Sequence, residues 1–267
     1  MEIRTASGAL HVGPSRLEGI LSMLAINVQR VVPVEELIDE LWGERPPAKA
    51  RNAVQAGVAR LRRMTESGPL YGAPRLILTA PRGYLLNVAP AAIDANRFVE
   101  QVRASMAVVW ERPGDALEML RSALRLWHGP AVFKVGSGVR RQAAAAMLDE
   151  WYLLAREDLI VVQLLLGRQR EVLSDVRELR SQFPDRERFV ALLMIALYLS
   201  GRQTESLDEF QRMRRWMRET FGVEPGPELY RLQQLILERQ TGLLDLLARS
   251  GDRAATEHPR DRLRASC

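Results

Sequence analysis

Residues 48 to 86 constrain this chain most. AKARNAVQAGVARLRRM carries a helical apolar period, and LILTAPRGYLL, soon after it, reads as a β-hairpin with Pro81, Arg82 and Gly83 at its tip. At about 100° per residue, Ala50, Val54, Gly57, Leu61 and Met64 fall on one side of the helix. Arg51, Asn52, Gln55, Ala59, Arg62 and Arg63 fall on the other. A helix that buries one side and turns guanidinium and amide groups outward needs partners for its apolar side close by in sequence.

Those partners lie upstream. Residues 2–12 predict two short strands around a Ser-Gly turn, and residues 15–28 predict a helix with Leu17, Ile20, Leu21, Leu24 and Ala25 on one face and Ser15 as N-cap. A second helix opens at Pro33, runs through EELIDELW and stops at Gly43. Pro46-Pro47 then breaks the chain before the basic helix. Strands, three helices and a hairpin, in that order, are a winged helix.

The polar face suits a duplex. Arginine is bidentate to guanine, and Asn or Gln is bidentate to adenine, in a major groove. Arg82 at the hairpin tip would touch phosphate or the minor groove and so fix position more than sequence. Three neighbouring arginines, Arg60, Arg62 and Arg63, would by themselves be an ordinary solvated face; the order of the surrounding elements is what favours DNA. Charge agrees, since residues 1–90 hold eleven Lys/Arg against eight Asp/Glu while residues 91–248 hold 22 of each. Only Lys49 and Lys134 are lysines, so the basic charge is almost wholly arginine.

Beyond Ala89-Pro90-Ala91-Ala92 the pattern is helical. Gly167-Arg168-Gln169 recurs as Gly201-Arg202-Gln203, 34 residues on, which is the tetratricopeptide period of one helix pair per repeat. Pro113-Gly114-Asp115 opens an earlier helix, and EPGPE (224–228) leads into a last one. The expected fold class is mainly α: a winged helix-turn-helix over residues 1–88, an all-α tetratricopeptide-like domain over 93–240, and a disordered polar tail over 249–267.

The basic helix, the Gly-Tyr hairpin, Asp94-Ala95-Asn96-Arg97-Phe98, Leu126-Trp127-His128-Gly129-Pro130 and ALYLSGRQTESLDEFQRMRRWMRETFGVEPGPEL together resemble the Streptomyces antibiotic regulatory protein family. The resemblance covers residues 2 to about 240. It implies an OmpR-type winged helix with a bacterial transcriptional activator domain, and a pathway-specific activator of secondary-metabolite genes. Such a protein binds direct repeats of double-stranded DNA near promoters as a homodimer or tandem oligomer and assists the RNA polymerase holoenzyme. By position, Ala50 to Met64 is the recognition helix and Leu76 to Leu86 the wing. The expected DNA-contacting set is Lys49, Arg51, Asn52, Gln55, Ala59, Arg62, Arg63, Arg82 and Tyr84.

Other chemistries find little support. His11, His128 and His258 are scattered, and the single cysteine, Cys267, can form neither a thiolate metal site nor an intrachain disulfide, which suits a reducing cytoplasm. The acid pairs Asp149-Glu150 and Glu157-Asp158 read as solvent-facing rather than catalytic, and no nucleophile elbow or phosphate loop is present. Trp127, Trp151 and Trp216 read as core. No cofactor, metal, enzymatic activity or membrane partner is expected. The alternative is a helical-repeat adaptor with a degenerate DNA-binding domain. Gly57, costing about 1 kcal/mol relative to alanine in mid-helix, and Ala59, which offers only a methyl group, motivate it.

Overall fold

The computed structural model of the 267-residue chain describes residues 1–5, 8–13, 15–66, 75–129, 138–240 and 243. The expected Ser-Gly turn, most of 131–141 and the 249–267 tail fall wholly or partly outside those residues. The chain forms two compact units, one of residues 1–101 with 123–152, the other of residues 102–122 with 153–267.

In the first unit, β1 (Glu2–Thr5) pairs antiparallel with β2 (Gly8–His11), Glu2 opposite His11. Helix α1 (Arg16–Ile26) starts where Ser15, in an extended conformation, accepts a hydrogen bond from the Leu17 N–H at 3.2 Å. Helix α2 (Val34–Trp42) ends at Gly43, whose φ of 58° excludes most side chains at little cost to glycine. Helix α3 (Ala50–Glu66) follows, then β4 (Ile77–Ala80) and β5 (Gly83–Leu86).

A two-residue strand, β3 (Val32–Pro33), precedes α2 and was not expected. It is too short to show a period, and it exists because β5 pairs with it, giving the order β3-β5-β4. Gly83 makes that pairing possible. A Cβ there would lie 1.9 Å from the Val32 carbonyl oxygen.

The core gathers Ile20, Met23, Leu24, Leu37, Val54, Val58, Leu61 and Ile77, all essentially solvent-free. Each such side chain contributes about 1.5–3 kcal/mol on burial. Val58, absent from the expected apolar side of α3, is buried, whereas Met64 is only half-buried. Gly57 is not a defect. A Cβ on it would meet Ile20 Cδ1 at 2.6 Å and Leu17 Cδ2 at 3.5 Å, so the missing side chain lets α3 pack closely on α1.

Helix α4 (Asp94–Met106), α5 (Pro113–Leu124) and the 27-residue α6 (Val139–Leu165) each run from one unit into the other. Within the first unit, Trp127 stacks on Tyr152, centroids 4.7 Å apart, and tilts against Phe98 at 5.5 Å. Trp151 is buried.

The second unit continues with α7 (Gln169–Gln182), α8 (Glu187–Leu199), α9 (Gln203–Phe221) and α10 (Pro227–Leu237). Its repeat is visible bond by bond. Gly167 and Gly201 both have positive φ, 72° and 78°. The Arg168 N–H donates to the Gln163 carbonyl and the Arg202 N–H to that of Leu197, closing α6 and α8 with the same helix-ending bond 34 residues apart. Helix α8 is buried on nearly every side, against α7 and α9. The turn into α10 is tied down twice: Glu187 accepts the Gly226 N–H through both carboxylate oxygens, at 3.1 and 2.8 Å. Glu224 accepts from Arg214 Nε at 2.8 Å and from the Tyr230 hydroxyl at 2.7 Å. Those hydrogen bonds hold the Glu224 carboxyl well below the usual carboxylate range.

Candidate nucleic-acid interface

Burial of Ala50, Val54, Val58, Leu61 and Thr65 rotates the rest of α3 outward. Asn52, Gln55, Ala56, Ala59, Arg60 and Arg63 are all exposed and lie at helical spacings along α3. They form one continuous row on one face. Arg60 belongs to this row, is exposed, and has no ion pair among the described residues. It is the residue the expected set lacks, although its four-residue spacing from Ala56 was available as a signal. Ala59, between Gln55 and Arg63, leaves room for a base edge to approach.

The remaining expected residues divide. Lys49 precedes α3 and is exposed, and Arg82 is exposed at the turn between β4 and β5. The Arg82 carbonyl accepts from the Val34 N–H at 3.1 Å, which ties the wing tip to the start of α2. Arg51 is exposed but ion-paired with Glu35 in the first turn of α2, so a phosphate there competes with a carboxylate.

Two expected contact residues are engaged within the fold. Tyr84 is 8% exposed and part of the core, sandwiched in register between Val32 and Thr79. Arg62 is half-buried. Its Nε donates to the Ile77 carbonyl at 2.9 Å, its Nη2 donates to Thr79 Oγ1 at 2.8 Å, and its guanidinium lies 5.8 Å from the Tyr84 ring centroid. Sequence spacing could not reveal this, because helical period places Arg62 beside Arg63 whatever the strands do.

Among the described residues no group of three or more His, Cys, Asp or Glu could hold a metal ion, and no helix is long and apolar enough to cross a membrane. Asp158, read from sequence as solvent-facing, instead buries its Oδ2 without a hydrogen-bond partner among the described residues. Burial, and then the neighbouring Glu157, push its carboxyl up to about 7 against the pull of Arg188. Glu157 is itself buried, held by Arg186 Nε at 2.6 Å.

A winged helix with an outward basic helix, followed by tetratricopeptide-like helix pairs, defines a class of transcriptional regulator, and the similarities to known proteins agree. Residues 13–86 match the family described as "Transcriptional regulatory protein, C terminal" and residues 93–237 the "Bacterial transcriptional activator domain". The chain is 37% identical to Transcriptional regulator RedD of Streptomyces coelicolor over 233 residues, 87% of this chain and 66% of RedD. It is 34% identical to Regulatory protein DnrI of Streptomyces peucetius over 232 residues, 84% of each. A solved structure of Mycobacterium tuberculosis EmbR in complex with a low-affinity phosphopeptide superposes with a TM-score of 0.85 at 29% identity, covering 93% of this chain and 66% of that one. The chain thus spans about two thirds of RedD and of the EmbR chain. It belongs to the Streptomyces antibiotic regulatory protein family of transcriptional activators.

Proposed function

We propose that this protein activates transcription of a secondary-metabolite gene cluster by binding direct repeats at its promoters and recruiting RNA polymerase. Asn52, Gln55, Arg60 and Arg63 would read or flank bases in the major groove, while Lys49, Arg51 and Arg82 neutralise phosphates. The observation that carries this reading is the outward row on α3, a polar and cationic face opposite a predominantly apolar buried one. Two molecules on repeats a helical turn apart would lie on one side of the duplex, and the helical repeats would provide the protein-protein contacts. The proposal is tested by retardation of promoter fragments across a salt series. Affinity should fall steeply with salt, and an affinity indifferent to salt would contradict backbone neutralisation.

A further inference from the structure

Arg62 of α3 reaches both strands of the wing. Its Nε holds the carbonyl of Ile77, itself buried and paired with Leu86 on β5. Its Nη2 holds the hydroxyl of Thr79, one step from the hairpin tip, and its guanidinium lies over the ring of Tyr84, the residue opposite Thr79. Tyr84 pairs in turn with Val32, Gly83 pairs with Pro33, and Val34 at the head of α2 donates to the Arg82 carbonyl. A closed circuit therefore runs from α3 through Arg62 to β4 and β5, across β3 into α2, and back to α3 through the core.

We propose that Arg62 is a positioning residue, a strut that fixes the wing tip, and Arg82 on it, relative to the reading face of α3, and that it does not itself neutralise a phosphate. This rests on the DNA-binding reading above. Its bonds go to oxygens of β4, and its guanidinium carbon lies over the Tyr84 ring, 5.8 Å from the centroid. A helix and a hairpin that must engage a duplex together gain affinity when their separation is set before binding. Thr79 is the uncharged end of the same strut.

The test compares the full chain with Arg62→Ala, Arg62→Lys and Thr79→Ala on one promoter fragment, by salt-dependent affinity and hydroxyl-radical footprint. Arg62→Ala should weaken binding about tenfold and Thr79→Ala about threefold, the sizes expected for losing a charge-assisted and a single neutral hydrogen bond. Both should lose protection where the wing lies and, with the Arg82 contact, up to about 0.9 of the slope of log affinity against log salt. Arg62→Lys keeps the charge but cannot bridge Ile77 and Thr79, and should behave as Arg62→Ala does.

A slope reduced by about 0.9 in Arg62→Ala, with Arg62→Lys near wild type and wing protection intact, would identify a phosphate contact and overturn the proposal. So would wild-type footprints from both Arg62→Ala and Thr79→Ala. A wild-type chain that binds no duplex would overturn the DNA-binding reading and this inference with it, a result distinct from either of those.

Discussion

Glu40, in α2, caps α6, a helix far downstream in the chain. Its Oε1 accepts the Arg140 N–H of α6 at 2.8 Å, its Oε2 lies 3.6 Å from Arg141 Nε, and its backbone carbonyl accepts from Arg141 Nη2 at 3.0 Å. Both side chains are buried, Arg141 at 1% and Glu40 at 5% exposure. A carboxylate at a helix N-terminus satisfies donors the helix leaves open. Gly138 permits the approach, since a Cβ there would lie 1.6 Å from Glu40 Oε2. Glu40 lies within residues 13–86 and Arg141 within residues 93–237, yet one compact unit contains both.

Arg141→Ala should therefore destabilise the winged helix itself. Removing one member of a buried pair leaves the other uncompensated, at about 3–5 kcal/mol. Hydrogen exchange in α1 to α3 is the appropriate readout, and faster exchange there is expected although the substitution lies outside those helices. Residues 1–88 expressed alone should show the same loss of protection.

Gly57→Leu should destabilise the protein by about 1–3 kcal/mol, the usual range for overpacking a filled core, because Ile20 Cδ1 already occupies the space. Thermal unfolding checks this. A Gly57→Leu variant as stable as wild type would restore the view that Gly57 is a weakness of the helix.

Much of this was legible in sequence, and what was not has a common cause. Ser15, Pro33, Gly43 and Gly201 mark helix ends through local backbone chemistry, so spacing alone finds them. The row from Asn52 to Arg63 follows from helical period once the buried face is known. The engagement of Arg62 with β4, the strand at Val32–Pro33 and the cap from Glu40 to Arg140 depend on residues 15 to 100 positions away. No local pattern announces such pairings.

Stability should fall as pH rises from about 4 to about 7 through Asp158. Its folded carboxyl titrates at about 7 against 3.8 for the ordinary group, so between those values the folded protein binds the extra proton. Above about 7 both states are ionised and the full penalty applies. Asp158→Asn should flatten this part of the pH profile and raise stability at pH 8, as measured by urea unfolding at several pH values.

Lys49→Ala and Arg82→Ala should each weaken binding to all sequences. Each phosphate that is no longer neutralised lowers the salt slope by about 0.9. Gln55→Ala should instead change sequence preference while leaving the slope intact. Binding-site selection from randomised duplexes, run alongside salt titrations, separates the two effects.

On the proposed reading, α3 and the wing engage promoter DNA as one reader. A footprint of the purified full chain on the intergenic regions flanking its own gene tests it most directly. Two protected direct repeats on one face of the duplex are expected, a helical turn apart, each with major-groove protection beside a wing contact. Absence of any protected repeat, or protection unaffected by Arg60→Ala and Arg63→Ala together, would contradict it.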